Sequence, residues 1–436
     1  MRGQTPHVLV GIALGLAVVT ALIAGLALSV PTAETASNAT QAGTSTTPVV
    51  ASDDLDTWHD AGITGENVSV GVVDVTGFDP DHETIAGQIV ATRSFSRGES
   101  VRNAGHNEHG TAAASLVART APDADLHLAT FDTPAQYRQA VRWLVERDVD
   151  VIVAPVSFYG TSGDGSAPVA RAAARASAAN TTFVAPVGNL ARSHWEGGYD
   201  EVRDGKLAFA GGTRNYLRSE AGRELRLWLS WDEAHANESY SASLYWTNGT
   251  RTQLIARSRP YERDDVPNQR LSVRLEGGDY FVVVRGPDEA TGARLELVSP
   301  THRFQYSDPS GSIAAPATGD DVLAVGAYDL RRERPELFSS RGPTTDGRVG
   351  VDVVAPDRLP AATRPEGFVG SSAAAPYVGG LAALVLDADP DRSPAAVERL
   401  VERTARDVGR PGVDTHTGHG LVQPAEALAN ASNASG

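Results

Sequence analysis

The chain has 436 residues, enough for two domains with accessory segments, and a formal net charge of −16 in which Lys206 is the only lysine. Such an acidic, arginine-based surface argues against nucleic acid and anionic lipid headgroups as partners and suits a protein kept soluble in concentrated salt, as in a halophilic source. With no cysteine, disulfides, thiolate nucleophiles and cysteine metal sites are excluded as well.

Arg2 precedes an uncharged apolar run of 23 residues, Val8 to Val30. That length suffices for a tilted bilayer span of about 20 residues and exceeds the roughly 7–15 residues of a signal-peptide core. Residues 1–30 therefore read as an N-terminal transmembrane anchor with its start inside. Ala27-Leu28-Ser29 offers a cleavage site, so a removed signal peptide stays open. Under both readings the remainder is extracytoplasmic, held at the cell surface or secreted. Residues 31–53 form a Thr/Ser-rich linker without periodicity. Glycosylation acceptor patterns at Asn38, Asn67, Asn180, Asn237 and Asn248 fit an exported chain.

From residue 54 to 199 strand and helix patterns alternate. Val68 to Asp74 is a β-branched strand ending in an acid, and Gly110 to Arg119 a helix of small residues. Leu126 to Phe131 is a strand, and Ala135 to Arg147 a helix with Ala140, Trp143 and Leu144 on one face. Val149 to Val156 is a buried strand, Pro168 to Ala179 a helix, and Thr182 to Val187 a strand. Alternation of this kind builds a mostly parallel sheet covered by helices on both faces, with ligands beyond the carboxyl ends of the strands. Asp74, Ser157 and Asn189 all fall at or just past strand ends.

The pattern changes between 200 and 303. Leu225 to Trp231, Tyr240 to Trp246, Leu271 to Leu275, Tyr280 to Val284 and Ala293 to Val298 are strand-like, with turn signals at Asn248-Gly249 and Gly277-Gly278-Asp279. This segment reads as an antiparallel β-sandwich inserted into the α/β domain. The α/β pattern resumes over 304–428 with strands near Val322 and Val351, leaving a polar tail at 429–436.

Phe368 to Leu386 stands out as a glycine-hinged turn feeding a helix that is apolar or small nearly all round, hence buried. Pro376 is expected in its first turn, where a proline loses no hydrogen bond. Taken alone, Ser372 is an N-cap on a core helix; the alternative is a nucleophile among the unpaired N–H groups of the helix start. Serine hydrolysis needs a base for the hydroxyl proton, an acid to orient that base, and donors for the oxyanion. Asp74, His109, Asn189 and Ser372 supply those types in that order. The Gly-x-Ser-x-Gly elbow of other serine esterases is absent around Ser372.

Together these blocks resemble a known family. Val72-Val73-Asp74, His109-Gly110-Thr111, Val187-Gly188-Asn189 and Gly370-Ser371-Ser372-Ala373-Ala374-Ala375-Pro376 look like the four signature blocks of the subtilisin-like (S8) serine proteases. Leu337 to Pro343 and Val353 to Pro356 add further similarity. The resemblance covers roughly 54–190 and 310–428 and excludes leader and insert. It implies a subtilisin-like three-layer α/β domain acting on protein or peptide substrates. Ser372 would be the nucleophile, His109 the base, Asp74 its orienting acid and Asn189 an oxyanion donor. Substrate would pair in extended form with a strand edge near Ser157 and Phe158. No cofactor is required for this chemistry and no metal ligand set is assigned.

Three departures from the family pattern stand out, and two acidic clusters are open to more than one reading. The acid block, Asp74-Val75-Thr76-Gly77, is one residue longer than usual, and Asp79 is a competing acid. Tyr159 stands where the family has glycine, so its ring would narrow or close the primary specificity pocket. A pro-region of the usual size is missing before Trp58, which leaves open a tethered binding protein with a dead protease fold. Finally, Asp79/Asp81 and Asp320/Asp321 could hold a structural Ca²⁺ or simply be solvated.

Overall fold

The computed structural model describes residues 52–98, 100–103, 107–218, 224–261 and 266–432. The expected anchor at 1–30 and the linker as far as residue 51 lie outside the described residues. Helix α1, Ser52–Asp60, already occupies the end of the segment expected to be linker.

The strands β1 (Ser69–Asp74), β2 (Ile89–Ser94), β3 (Asp125–Thr130), β4 (Val151–Val153) and β5 (Thr182–Pro186) alternate with the helices α2 (His109–Thr120), α3 (Pro134–Val145) and α4 (Pro168–Ala178). The order β5-β4-β1-β3-β2 is parallel throughout. Successive strands leave β1 first on one side and then on the other, so the direction of winding reverses there. A crevice forms beyond the strand ends at such a reversal. The expected strand Val149 to Val156 is shorter, only β4, because residues beyond Val153 leave the ladder to build the crevice wall. Strand β2 carries only partly buried or exposed residues and no clean alternation, so no periodicity announced it.

Among the described residues ten strands intervene before the sheet resumes: β6 (His194–Gly198), β7 (Asn215–Arg218), β8 (Glu224–Trp231), β9 (Ser241–Thr247), β10 (Thr252–Arg257), β11 (Arg259–Pro260), β12 (Asn268–Arg274), β13 (Asp279–Arg285), β14 (Arg294–Val298) and β15 (Arg303–Phe304). They form two antiparallel sheets, ordered β10-β9-β13-β7-β15 and β11-β12-β8-β14-β6, around a shared core that includes Leu225, Leu227, Leu229, Leu244, Val282 and Leu295. The antiparallel pairing begins at His194, before the boundary expected at 200, because β6 pairs with β14. A short 3₁₀ turn, Glu233–His235, interrupts the strands. Along β8 the leucines face the sandwich core, while Trp228 and Ser230 on the other face are also buried. That second buried face turns toward the α/β domain.

The large sheet then gains β16 (Leu323–Asp329), β17 (Arg334–Pro335) and β18 (Val353–Pro356); β16 lies beside β5 and only the β16–β17 pair is antiparallel. Helix α5, Ser371–Ala388, runs through the centre of the domain. It is long and apolar enough to cross a membrane, but it is buried against α2, β5, β16 and β18, and is a core helix. Its closeness to those neighbours rests on two glycines. A Cβ on Gly379 would lie 2.2 Å from Val153 Cγ2, and one on Gly380 2.5 Å from the Thr120 Cβ. The last helix, Pro424–Ser432, runs four residues into the expected polar tail.

Two expectations about α5 are corrected. Its N-cap is Gly370 and not a serine, with φ of 115° that a side-chain-bearing residue rarely adopts. Pro376 lies inside the helix, in its second turn and not its first. Its ring has no N–H for the Ser372 carbonyl, so that carbonyl loses its partner four residues on.

Candidate active site

Asp74 closes β1, is fully buried, and has both carboxylate oxygens engaged. One accepts from the Thr76 backbone N–H at 2.8 Å and from its hydroxyl at 2.7 Å; the other lies 2.7 Å from His109 Nδ1. His109 is the first residue of α2, about a quarter exposed, with its ring edge-on to Phe368 at 5.1 Å. A buried carboxylate against Nδ1 selects the tautomer with its proton there, leaving Nε2 able to accept one. The extra residue in the acid block has a structural use. Thr76 holds Asp74 and also accepts the Gly110 N–H at 3.0 Å, joining the strand end to the start of α2. Asp79, the competing acid, instead pairs with Arg102 on the surface at 3.3 Å.

Ser372 is the second residue of α5 and partly exposed, whereas Ser371 beside it is buried. Ser371 fastens the turn. Its N–H and hydroxyl both donate to Asn189 Oδ1, at 3.0 and 3.1 Å, and its hydroxyl accepts the Gly188 N–H at 3.2 Å. With Oδ1 committed, exposed Asn189 is left to offer its Nδ2 protons. A Cβ on Gly370 would lie 2.9 Å from that nitrogen, so glycine is required there by space as well as by φ. The Gly370 N–H donates to Asp357, a fully buried carboxyl that burial pushes up to about 7. Asp74 ends β1, and Ser157 and Asn189 come after β4 and β5; the three strands are neighbours in the sheet. The Phe368 contact links His109 to the chain that leads into Ser372.

The three expected substrate-contacting residues part company. Ser157 is partly exposed. Phe158 turns inward, its ring 4.8 Å from Tyr137 and 6.0 Å from Phe131, and its N–H is taken by the Ala315 carbonyl at 2.7 Å. Its backbone donor is therefore not available to a peptide. Tyr159 packs on Leu190, Val298 and Ala314, and its ring lies 5.2 Å from Trp228 of the sandwich.

Groups able to hold a cation lie elsewhere. Asp79 and Asp81 clasp Arg102, and Asp320 pairs with Arg348 at 3.3 Å. Unforeseen from the sequence, Asp352, Glu398 and Glu402 offer oxygens within 4.8 Å of one another. Burial, then mutual repulsion, pushes Glu398 up to about 8, and burial pushes Asp352 up to about 7. The spacing of Glu398 and Glu402, one helical turn apart, was the signal that could have exposed them.

With this geometry described, comparison with known proteins places the chain in a class. The sequence profile of the subtilase family matches residues 65–217 and 299–420, and the chain belongs to that family. The unmatched interval falls within the antiparallel sandwich. Mycosin-1 of Mycolicibacterium smegmatis is 35% identical over 165 residues, 35% of this chain and 36% of that protein. Serine protease AprX of Bacillus subtilis is 32% identical over 173 residues, 32% of this chain and 38% of its own length. The matched segments thus span little more than a third of these relatives. The CspB protease of Clostridium perfringens shares the fold, with a TM-score of 0.62 over 87% of this chain and 96% of that one at 17% identity.

Proposed function

We propose that the chain is a serine endopeptidase that hydrolyses peptide bonds through an acyl-enzyme on Ser372. The observation that carries this reading is the buried Asp74 carboxylate on His109 Nδ1, together with Ser371, the residue before Ser372, fastened to Asn189 at the start of α5. Ser372 Oγ attacks the scissile carbonyl while His109 Nε2 takes its proton and later returns it to the leaving amine. Asp74 keeps the imidazole in the useful tautomer and balances the imidazolium. The developing oxyanion accepts from Asn189 Nδ2 and from the Ser372 N–H, one of the unpaired donors of the first turn of α5. The loss of helix bonding at the Ser372 carbonyl leaves this turn shaped by Gly370, Ser371 and Asn189 rather than by the helix alone. No cofactor takes part in these steps.

Location follows from the uncharged run Val8–Val30: the peptidase acts outside the cytoplasm, tethered by that segment or released from it. Purified chain should digest a denatured protein in high salt, and Ser372→Ala should abolish the digestion; activity that survives this change refutes the assignment. Recovery of the chain from the cytosol on cell fractionation would refute the location.

A second reading has one observation in its favour, the Tyr159 ring against Leu190 and Ala314 beside Asn189. In it the fold binds without cleaving, and the sandwich makes the contacts. Covalent capture of a fluorophosphonate by the chain decides against it.

A further inference from the structure

We infer that Tyr159, held by the inserted sandwich, is the specificity-determining residue of this peptidase and restricts the residue on the acyl side of the cut bond to small side chains, Gly, Ala or Ser. This rests on the proposed function above. Under the proposed mechanism the scissile carbonyl, its oxygen on Asn189, would lie beside three backbone segments that meet at Gly188, where a Cβ would be 3.3 Å from Ala314 Cβ and 3.7 Å from Ser157 Oγ. Those segments are 157–160, 187–190 and 313–315, joined by the bonds Phe158 N–H to Ala315 O at 2.7 Å and Ala314 N–H to Val187 O at 2.9 Å. The Tyr159 ring packs against Leu190 and Ala314, which belong to two of the walls.

The ring is fixed from behind by the sandwich and not by the α/β domain alone. Trp228 tilts against it, and Asn268 Nδ2 donates to the Gly160 carbonyl at 3.1 Å. The ring's hydroxyl bonds the Ser157 side chain, and burial pushes the phenol up to about 12, so it stays neutral throughout the working pH range. Gly160 has φ of 69°, and a Cβ there would lie 3.0 Å from Trp228 Cδ1. The wall and the sandwich are therefore in direct contact. A cavity of about 310 Å³ lies along Tyr159, lined on the sandwich side by Glu196, Ser230, Arg294 and Glu296. This room is large enough for a long side chain, and the ring forms part of its lining.

The test is cleavage of paired peptide anilides that differ only in Ala or Phe before the scissile bond, using the full chain. Wild type should favour Ala by about 100-fold or more in kcat/KM, within the range by which one misfit group discriminates. Tyr159→Gly should collapse or invert that ratio by joining the slot to the cavity. Trp228→Ala, which keeps the ring but removes its backing, should give an intermediate ratio, a change that a merely structural residue would not produce. Mapping cut sites in a denatured protein by mass spectrometry should show the same preference. If cleavage depends on Ser372 but wild type cuts after Phe as readily as after Ala, the inference falls and the peptidase reading stands. If no substrate is cut in a Ser372-dependent way, both fall.

Discussion

The two flanks of the crevice are made differently. On the acid–base flank, Asp74, Thr76, His109 and Gly110 come from one strand end and the helix start beside it, and the described hydrogen bonds that orient the imidazole lie among them, while the Phe368 ring packs on it from further along the chain. On the specificity flank, the wall at 157–160 is completed by Trp228 and Asn268, up to 108 residues further along the chain, from the part of the sandwich that the family profile does not match. Under the proposed mechanism the first arrangement must serve proton transfer and so tolerates little change. The second is a wall completed by the antiparallel sandwich, so under the inference above selectivity can change without disturbing the base.

Breaking the first flank should therefore cost far more than breaking the second. Asp74→Asn should lower kcat by about 10⁴-fold, the scale known when an orienting carboxylate is replaced and the tautomer is lost. Steady-state kinetics with an Ala-anilide would read this, and a loss below about tenfold would mean that Asp74 does not orient the base. Asn189→Ala should cost roughly 10²–10³-fold in kcat with little change in KM, a magnitude taken from subtilisin. A change carried by KM instead would make Asn189 a binding residue. The Tyr159 and Trp228 variants, by contrast, should act on the ratio between substrates.

The smallest effect is expected away from both flanks. Asp352 and Glu398 have folded-state values raised to about 7 and about 8, above the roughly 4 of an unfolded chain. A raised carboxyl binds its proton more tightly when folded, so its contribution is full below about pH 4 and is lost as pH rises toward 8. Glu398→Gln should raise Tm at pH 8 by about 1–2 °C, roughly 1 kcal/mol for a domain of this size, and change little at pH 5. Thermal melts at the two pH values would check this. An equal shift at both would mean that repulsion in the trio is not the cause. The substrate ratio should not move.

The candidate acid–base pair was legible in the sequence because serine hydrolysis calls for particular residue types, and Asp74 and His109 fall at a strand end and a helix start. Asp74, His109, Asn189 and Ser372 could be picked out in order. The α/β alternation was legible because buried parallel strands are β-branched runs. The partners of Tyr159 were not, since Trp228 and Asn268 read as ordinary sandwich residues and only the packing of two modules brings them to residue 160. Thr76 showed as an irregularity of spacing whose purpose needed its two hydrogen bonds. Pro376 was misplaced by a turn because Gly370, with its positive φ, starts the helix earlier than the apolar pattern suggests.

The central claim is that Ser372 is the nucleophile on which both flanks converge. The most direct measurement is reaction of the purified chain with a fluorophosphonate, followed by digestion and mass spectrometry of the peptide spanning the start of α5. The account predicts one stoichiometric adduct, on Ser372, lost in Asp74→Asn and His109→Ala at equal exposure times. No adduct, or an adduct on Ser371, which is buried and bonded to Asn189, would contradict it.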